Sequence, residues 1–203
     1  MFFQYNTQKC IDIFVKVWYY MYRTTKVIST TQINQTITIF YEVNKMHEIT
    51  ENTSLEMTDV LTFRGKVTQQ RLNDVAKEMA DIIRINGAKK TMSGVSATFA
   101  VENSGGEIIM DIELMYPLDR DIYVPAPYTI KPVFRLKNAV KIRHMGNPAT
   151  MQDTANELMQ YIKFKKLTPI TSGYILTIQE PSGPDDTDSL IADIYIGVSD
   201  NIL

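Results

Sequence analysis

Leu72 to Ile83 reads LNDVAKEMADII, with apolar residues at Leu72, Val75, Ala76, Met79, Ile82 and Ile83. This is the i, i+3, i+4, i+7 stripe of an amphipathic helix. Gly87 stands where a C-cap glycine belongs. Before the helix, Asp59 to Lys66 (DVLTFRGK) reads as a strand. After it, Val95, Ala97, Phe99 and Val101 alternate with Ser96, Thr98 and Ala100, the period of a strand. The turn Asn103-Ser-Gly-Gly106 leads into a second alternating run: Ile108, Met110, Ile112, Leu114 and Tyr116. The order is strand, helix, strand, strand.

The same order returns further on. Val140, Ile142 and His144 alternate as a strand. Asn147-Pro148 is a helix start, with Asn as N-cap and Pro in the first turn. Met151, Ala155, Leu158, Met159 and Ile162 form the stripe. Tyr174, Leu176 and Ile178 follow as a strand, then the loop from Pro181 to Asp188. Leu190, Ala192, Ile194, Ile196 and Val198 make the last strand.

The two halves superpose in sequence at a shift of 79. Ala76-Lys-Glu-Met79 lies over Ala155-Asn-Glu-Leu158, Ile83 over Ile162, Ser93-Gly94 over Ser172-Gly173, and Thr98 over Thr177. Asp111-Ile112 matches Asp193-Ile194 three residues later, because the second hairpin loop is longer. The spacing predicts an α+β fold of two βαββ repeats, about residues 57–116 and 133–199. Pro117 to Pro132, carrying four prolines, is expected to connect them.

Residues 1–45 stand apart. They hold no Ala, Gly, Pro or Leu and ten of the chain's twenty aromatics, and they carry a charge of +3, leaving -5 for the rest. Ala, Gly and Pro are the residues with GC-rich codons, so the segment reads like translated AT-rich spacer DNA. Tyr41-Glu-Val-Asn-Lys-Met46 can be encoded with a purine-rich ribosome-binding element before the Met46 codon. The expectation is a native start at Met46, with 46–203 as the folded domain. The alternative is a genuine β-rich extension, because Gln35 to Val43 (QTITIFYEV) alternates as a strand.

Composition narrows the function classes. The 203 residues carry 21 basic and 23 acidic side chains, which gives no basic footprint for nucleic acid. No apolar run approaches the roughly 20 residues of a membrane span. The lone cysteine, Cys10, rules out an internal disulfide framework and fits a reducing, cytoplasmic compartment. His47 and His144 do not combine with other residues at metal-ligand spacing, and no phosphate-binding loop precedes a helix, so no cofactor is expected.

Several motifs of the second half carry a resemblance. Lys141-Ile-Arg-His144-Met-Gly146-Asn-Pro148, Leu167-Thr-Pro-Ile170 with Gly173-Tyr174, Glu180-Pro181, and Ala192-Asp-Ile-Tyr-Ile-Gly-Val198 follow one another in order. The chain resembles the GyrI-like, or bacterial transcription-activator effector-binding, superfamily of SOUL-type architecture over roughly residues 57–199. The resemblance implies a pseudo-twofold antiparallel sheet with two helices on one face. The other face would be a groove for small hydrophobic or cationic aromatic ligands. It also implies a stand-alone member, acting by sequestering a compound, by hydrolysis, or as an accessory protein, and it suggests a link to type VII secretion. Gly197 replaces the family's usual Pro, Asp193 its usual Glu, and Thr177 a frequent Tyr.

The residues themselves place candidates on that groove. Even-numbered positions of the closing strands form the apolar row and are expected to pack on the helices. The odd row then faces the groove: Ile109, Asp111, Glu113 and Met115 in one half, and Ile191, Asp193 and Tyr195 in the other. A carboxylate in an apolar groove suits an organic cation, and an adjacent ring adds a cation–π contribution. The competing reading is a solvated sheet face without a ligand. A hydrolase would use Asp193 or Glu113 as base. A protein partner is the third class.

Overall fold

The strand expected at Asp59–Lys66 is the second half of a much longer one, β1 (Ile49–Thr68). The computed structural model describes residues 48–183, 186 and 188–200. The expected start at Met46, the strand reading of residues 35–43 and the aromatic segment 1–45 lie outside them. The described elements continue with α1 (Gln69–Ile85), β2 (Val95–Ser104), β3 (Glu107–Pro117) and β4 (Thr129–Met145). A single 3-10 turn (Pro148–Thr150) then opens α2 (Met151–Phe164), followed by β5 (Leu167–Pro169), β6 (Tyr174–Gln179) and β7 (Ile191–Asp200).

Local chemistry sets the helix ends. The Thr68 hydroxyl accepts the Arg71 N–H at 3.3 Å, capping α1. Past its C-terminus Gly87 takes φ +64°, the left-handed conformation that glycine reaches without steric cost. At α2 the Asn147 side chain accepts the Ala149 N–H at 2.9 Å, with Pro148 in the first turn, as its sequence predicts. α1 buries Val75, Met79 and Ile83, whereas α2 buries Thr154, Leu158 and Ile162. Met159, expected in the second stripe, is 43% exposed.

The sheet is antiparallel throughout, in the order β4-β1-β3-β2-β6-β7, and β4 also pairs with β7. Six strands therefore close into a barrel-like ring, with β5 added on β7. This corrects the expected open sheet: the face turned from the helices is the inside of the ring. Pro132 lies within β4 rather than in a connector. β7 pairs β4 only over Ala139–Met145, so the stretch 129–138 has one strand neighbour among the described residues and tolerates a proline.

Each long strand carries a residue that resets its alternation. Met57 and Val60 both point into the ring, although three positions apart, because Asp59 between them has φ +50°. Leu136 and Ala139 do the same around Asn138, at φ +51°. Asp and Asn are the non-glycine residues that enter this region most readily. Asn138 lies 79 residues after Asp59, and Lys166, at φ +57°, lies 79 after Gly87.

Three apolar clusters result. Leu61, Phe63, Val67 and Ile112 pack under α1. Val140, Ile142, Ile194, Ile196 and Val198 pack under α2. Leu55, Met57, Val60, Val95, Met115, Leu136, Leu176 and Tyr195 fill the ring. The even rows of β3 and β7 thus face the helices. β2 forms where alternation predicts a strand, but its Phe99 and Val101 are exposed. β6 supports β2 only over Val95–Ala97, and a register irregularity follows Thr98.

Candidate functional site

The seven residues expected on the groove divide by depth. Met115 and Tyr195 are buried in the ring cluster. Ile109 and Ile191 are half-buried. Of the acids, Glu113 and Asp193 are only 6% and 2% exposed, and Asp111 is half-buried.

Each carboxylate has a basic partner from another strand of the ring, adjacent for Asp193 and Asp111 and across β1 for Glu113. Arg143 reaches Asp193 with Nε–H to Oδ1 at 2.7 Å and Nη2–H to Oδ2 at 2.9 Å, while Lys141 Nζ donates to Oδ2 at 3.1 Å. Lys131 donates to Glu113 at 2.6 Å and Arg64 to Asp111 at 2.9 Å. Three acids thus meet four cations, and the acids lie deeper than their partners. The electrostatic ground for an organic cation, an unpaired buried carboxylate, is absent here.

Burial opposes ionisation of Asp193, but the bonds from Arg143 and Lys141 outweigh it and hold its carboxyl below the usual aspartate range. A general base poised near neutral pH needs the opposite shift. Tyr195 and Tyr174 move the other way. Burial raises both phenols, and Asp193 and Glu113 respectively add to the effect.

Tyr174 leads from this interior to the molecule's open cleft. Its ring meets Phe134 edge-on, with centroids 5.1 Å apart. It also lines a cleft of about 1060 Å³ that opens where β2 and β6 part. Thr98 and Phe99 form one side. The first turns of α2 contribute Met151, Gln152, Ala155, Asn156 and Met159, and residues 169–173 complete the wall. None of the described lining residues is charged. Phe99, Met159 and Ile170 expose 39%, 43% and 60% of their surface. Behind Phe99 the Arg64 guanidinium stacks on the ring, 3.4 Å from its centroid. Asp111 and Glu113 therefore lie behind the cleft, whereas Asp193 and Tyr195 lie on the β4–β7 side of the ring.

His144 fixes the cleft's helical wall. It is buried, with Nε2 at 3.1 Å from the Asn147 carbonyl and Nδ1 at 2.9 Å from Thr154 Oγ1. A carbonyl only accepts, so Nε2–H donates to it, and Nδ1 shares a hydrogen bond with the threonine hydroxyl. The end of β4 is thereby tied to the start of α2.

Sequence reading missed the basic partners and the cleft. Two of the partners did leave a signal: Lys141 and Arg143 are cations two apart on a strand. That spacing points both to one face. The cleft left none, since it exists only because β2 and β6 share a three-residue seam. Among the described residues no group of His, Cys, Asp and Glu could hold a metal ion, and no helix is long and apolar enough to cross a membrane.

Comparison with solved structures places this geometry. EcmrR in its DNA complex within EcmrR-RPo aligns at a TM-score of 0.61 and 15% identity, over 96% of this chain and 69% of that one. The isolated EcmrR C-terminal domain aligns at 0.58 and 13% identity, over 76% of this chain and 99% of that one. The chain shares the fold of the EcmrR C-terminal domain. An uncharacterized conserved protein from Listeria innocua aligns at 0.51 and 10% identity, over 75% of this chain and 91% of that one. No family model matches the chain, and no curated protein does.

Proposed function

We propose that the chain is a small-molecule-binding module of the GyrI-like effector-binding superfamily, whose ligand is an uncharged or amphipathic aromatic compound held in the cleft between β2, β6 and α2. The observation that carries this reading is the cleft itself: about 1060 Å³, free of charged groups among its described lining, with Phe99, Met159 and Ile170 partly exposed along it. Ligand sites are concave, mostly apolar and few per protein. Membership of the superfamily is supported by the shared fold of the EcmrR C-terminal domain and by the motifs from Lys141 to Val198. Duplication is supported by the recurrence at 79 residues of both the buried helical positions and the left-handed residues.

Within this reading Asp111 and Glu113 are structural, held behind the cleft by Arg64 and Lys131, and Asp193 with Tyr195 secures the β4–β7 closure. Met115, Ile109 and Ile191 pack around these groups. The domain proper is 46–203. Ligand capture, rather than hydrolysis, is its activity, because the interior acids are held by cations.

A thermal-shift screen tests the proposal. Matched neutral, cationic and anionic aromatics would be added to the full chain. Concentration-dependent stabilisation by the neutral set, lost in Met159→Glu, is the expected result. Stabilisation by the cationic set alone would return the ligand to the carboxylate face.

A further inference from the structure

The two edges of β2 are unequal. One pairs with β3 from Val95 to Ser104, whereas the other pairs with β6 only over Val95–Ala97. Among the described residues no strand covers the outer edge of residues 98–104. On such an edge every second residue turns its N–H and C=O outward. Proteins usually blunt an open edge with proline or lysine. This one, TFAVENS, has neither, and its single charge, Glu102, is bound to Lys66 at 2.8 Å.

The edge opens into the cleft, because Thr98 and Phe99 belong to both. Met159 of α2 and Ile170 stand across from it, each with exposed apolar surface. An occupant therefore meets backbone donors and acceptors on one side and uncharged apolar side chains on the other. A rigid aromatic compound satisfies only the second. An extended peptide satisfies both. Its backbone continues the sheet, and its alternate side chains reach the α2 wall. Seven residues of strand span about 23 Å. The cleft has the size of a ligand site, not of a folded domain.

Resting on the reading of the cleft as the ligand site, we propose that the cleft also accepts a peptide segment of another protein, extended, uncharged and apolar at alternate positions, bound as an added strand on β2 residues 98–104. Backbone hydrogen bonds supply the affinity, and the uncharged wall selects against acidic and basic segments.

The test uses the full chain and a capped seven-residue peptide alternating valine and threonine. Its analogue, N-methylated at every internal residue, serves as control. Amide hydrogen exchange of residues 98–104 and a binding titration are read together, with a neutral aromatic probe in parallel. The expected result is saturable binding with slowed exchange at alternate amides of 98–104, weakened roughly tenfold or more by N-methylation as the hydrogen bonds go. Binding without protection of 98–104, or equal binding of the methylated analogue, overturns the added strand. If the aromatic probe binds and Met159→Glu abolishes it while the peptide does not bind, the ligand-site reading survives and the peptide assignment falls. If neither binds, both fall. Protection of 98–104 that rises with protein concentration and without peptide assigns the edge to a second copy instead, against this proposal.

Discussion

Arg143 grips Asp193 at two points, Nε to Oδ1 at 2.7 Å and Nη2 to Oδ2 at 2.9 Å, across the β4–β7 seam that closes the ring. The closure of the fold and the pairing of Asp193, the most buried carboxylate among the described residues, are thus one interaction. Asp193→Asn keeps the shape and removes the charge. The expected loss is about 1–2 kcal/mol, toward the low end for a bond to a charged group, because the arginine is partly solvated. Because the folded pKa of Asp193 is depressed, its contribution is complete above the unfolded value, about 3.9. It declines as pH falls through the lower folded value. Urea unfolding of both proteins from pH 7 to pH 2 should show a gap that closes on acidification. A gap independent of pH would mean the charge is not what matters.

Thr154 occupies in α2 the buried position that Val75 occupies in α1, and its hydroxyl meets His144 Nδ1. Thr154→Val restores the apolar match but takes a hydrogen-bond partner from a buried imidazole. The variant should unfold with about 1–2 kcal/mol less stability, the usual cost of withdrawing a partner from a buried polar group. Denaturant midpoints equal to or above wild type would show that the His144 contact contributes nothing.

Close packing requires a glycine at position 197. A Cβ there would lie 2.9 Å from Leu136 Cδ1 and 2.9 Å from Thr171 Cγ2. Its N–H also donates to Thr171 Oγ1 at 2.9 Å, a bond that proline cannot make. Gly197→Ala is expected to cost about 1–3 kcal/mol through overpacking, and Gly197→Pro more. Gly183→Ala, at a position with nothing within 4 Å, should stay within about 0.5 kcal/mol of wild type. Thermal melts of the three variants check the order.

Much of the secondary structure was legible because it is local. The helix stripes, the Asn147 cap, the Asn103–Gly106 turn and the even row of β7 are each written within about a dozen residues. Ring closure was not, since β4 meets β7 some 50 residues away and no periodicity records that pairing. Nor were the parity resets at Asp59 and Asn138, where the only sign is a residue type that tolerates a left-handed backbone. These two features turned the expected open groove into an interior. They also explain why Met115 and Tyr195, placed on the right face by alternation, are buried. Phe99 lies in an alternating strand row and Met159 in a helix stripe, and neither pattern records exposure. They are exposed because the β2–β6 seam ends at Ala97 and leaves the cleft beside them.

Two substitutions separate the cleft from the carboxylate face. Met159→Glu brings a charge to a wall without one. Asp111→Asn removes a half-buried acid behind it. Calorimetric titration of the best-stabilising neutral aromatic into the full-length wild type and both variants tests the central claim most directly. Ligand capture in the cleft predicts that Met159→Glu weakens binding by roughly tenfold or more, about 1.4 kcal/mol, while Asp111→Asn leaves it within about twofold. Binding abolished by Asp111→Asn and untouched by Met159→Glu would contradict the claim and place the ligand among the ring's acids.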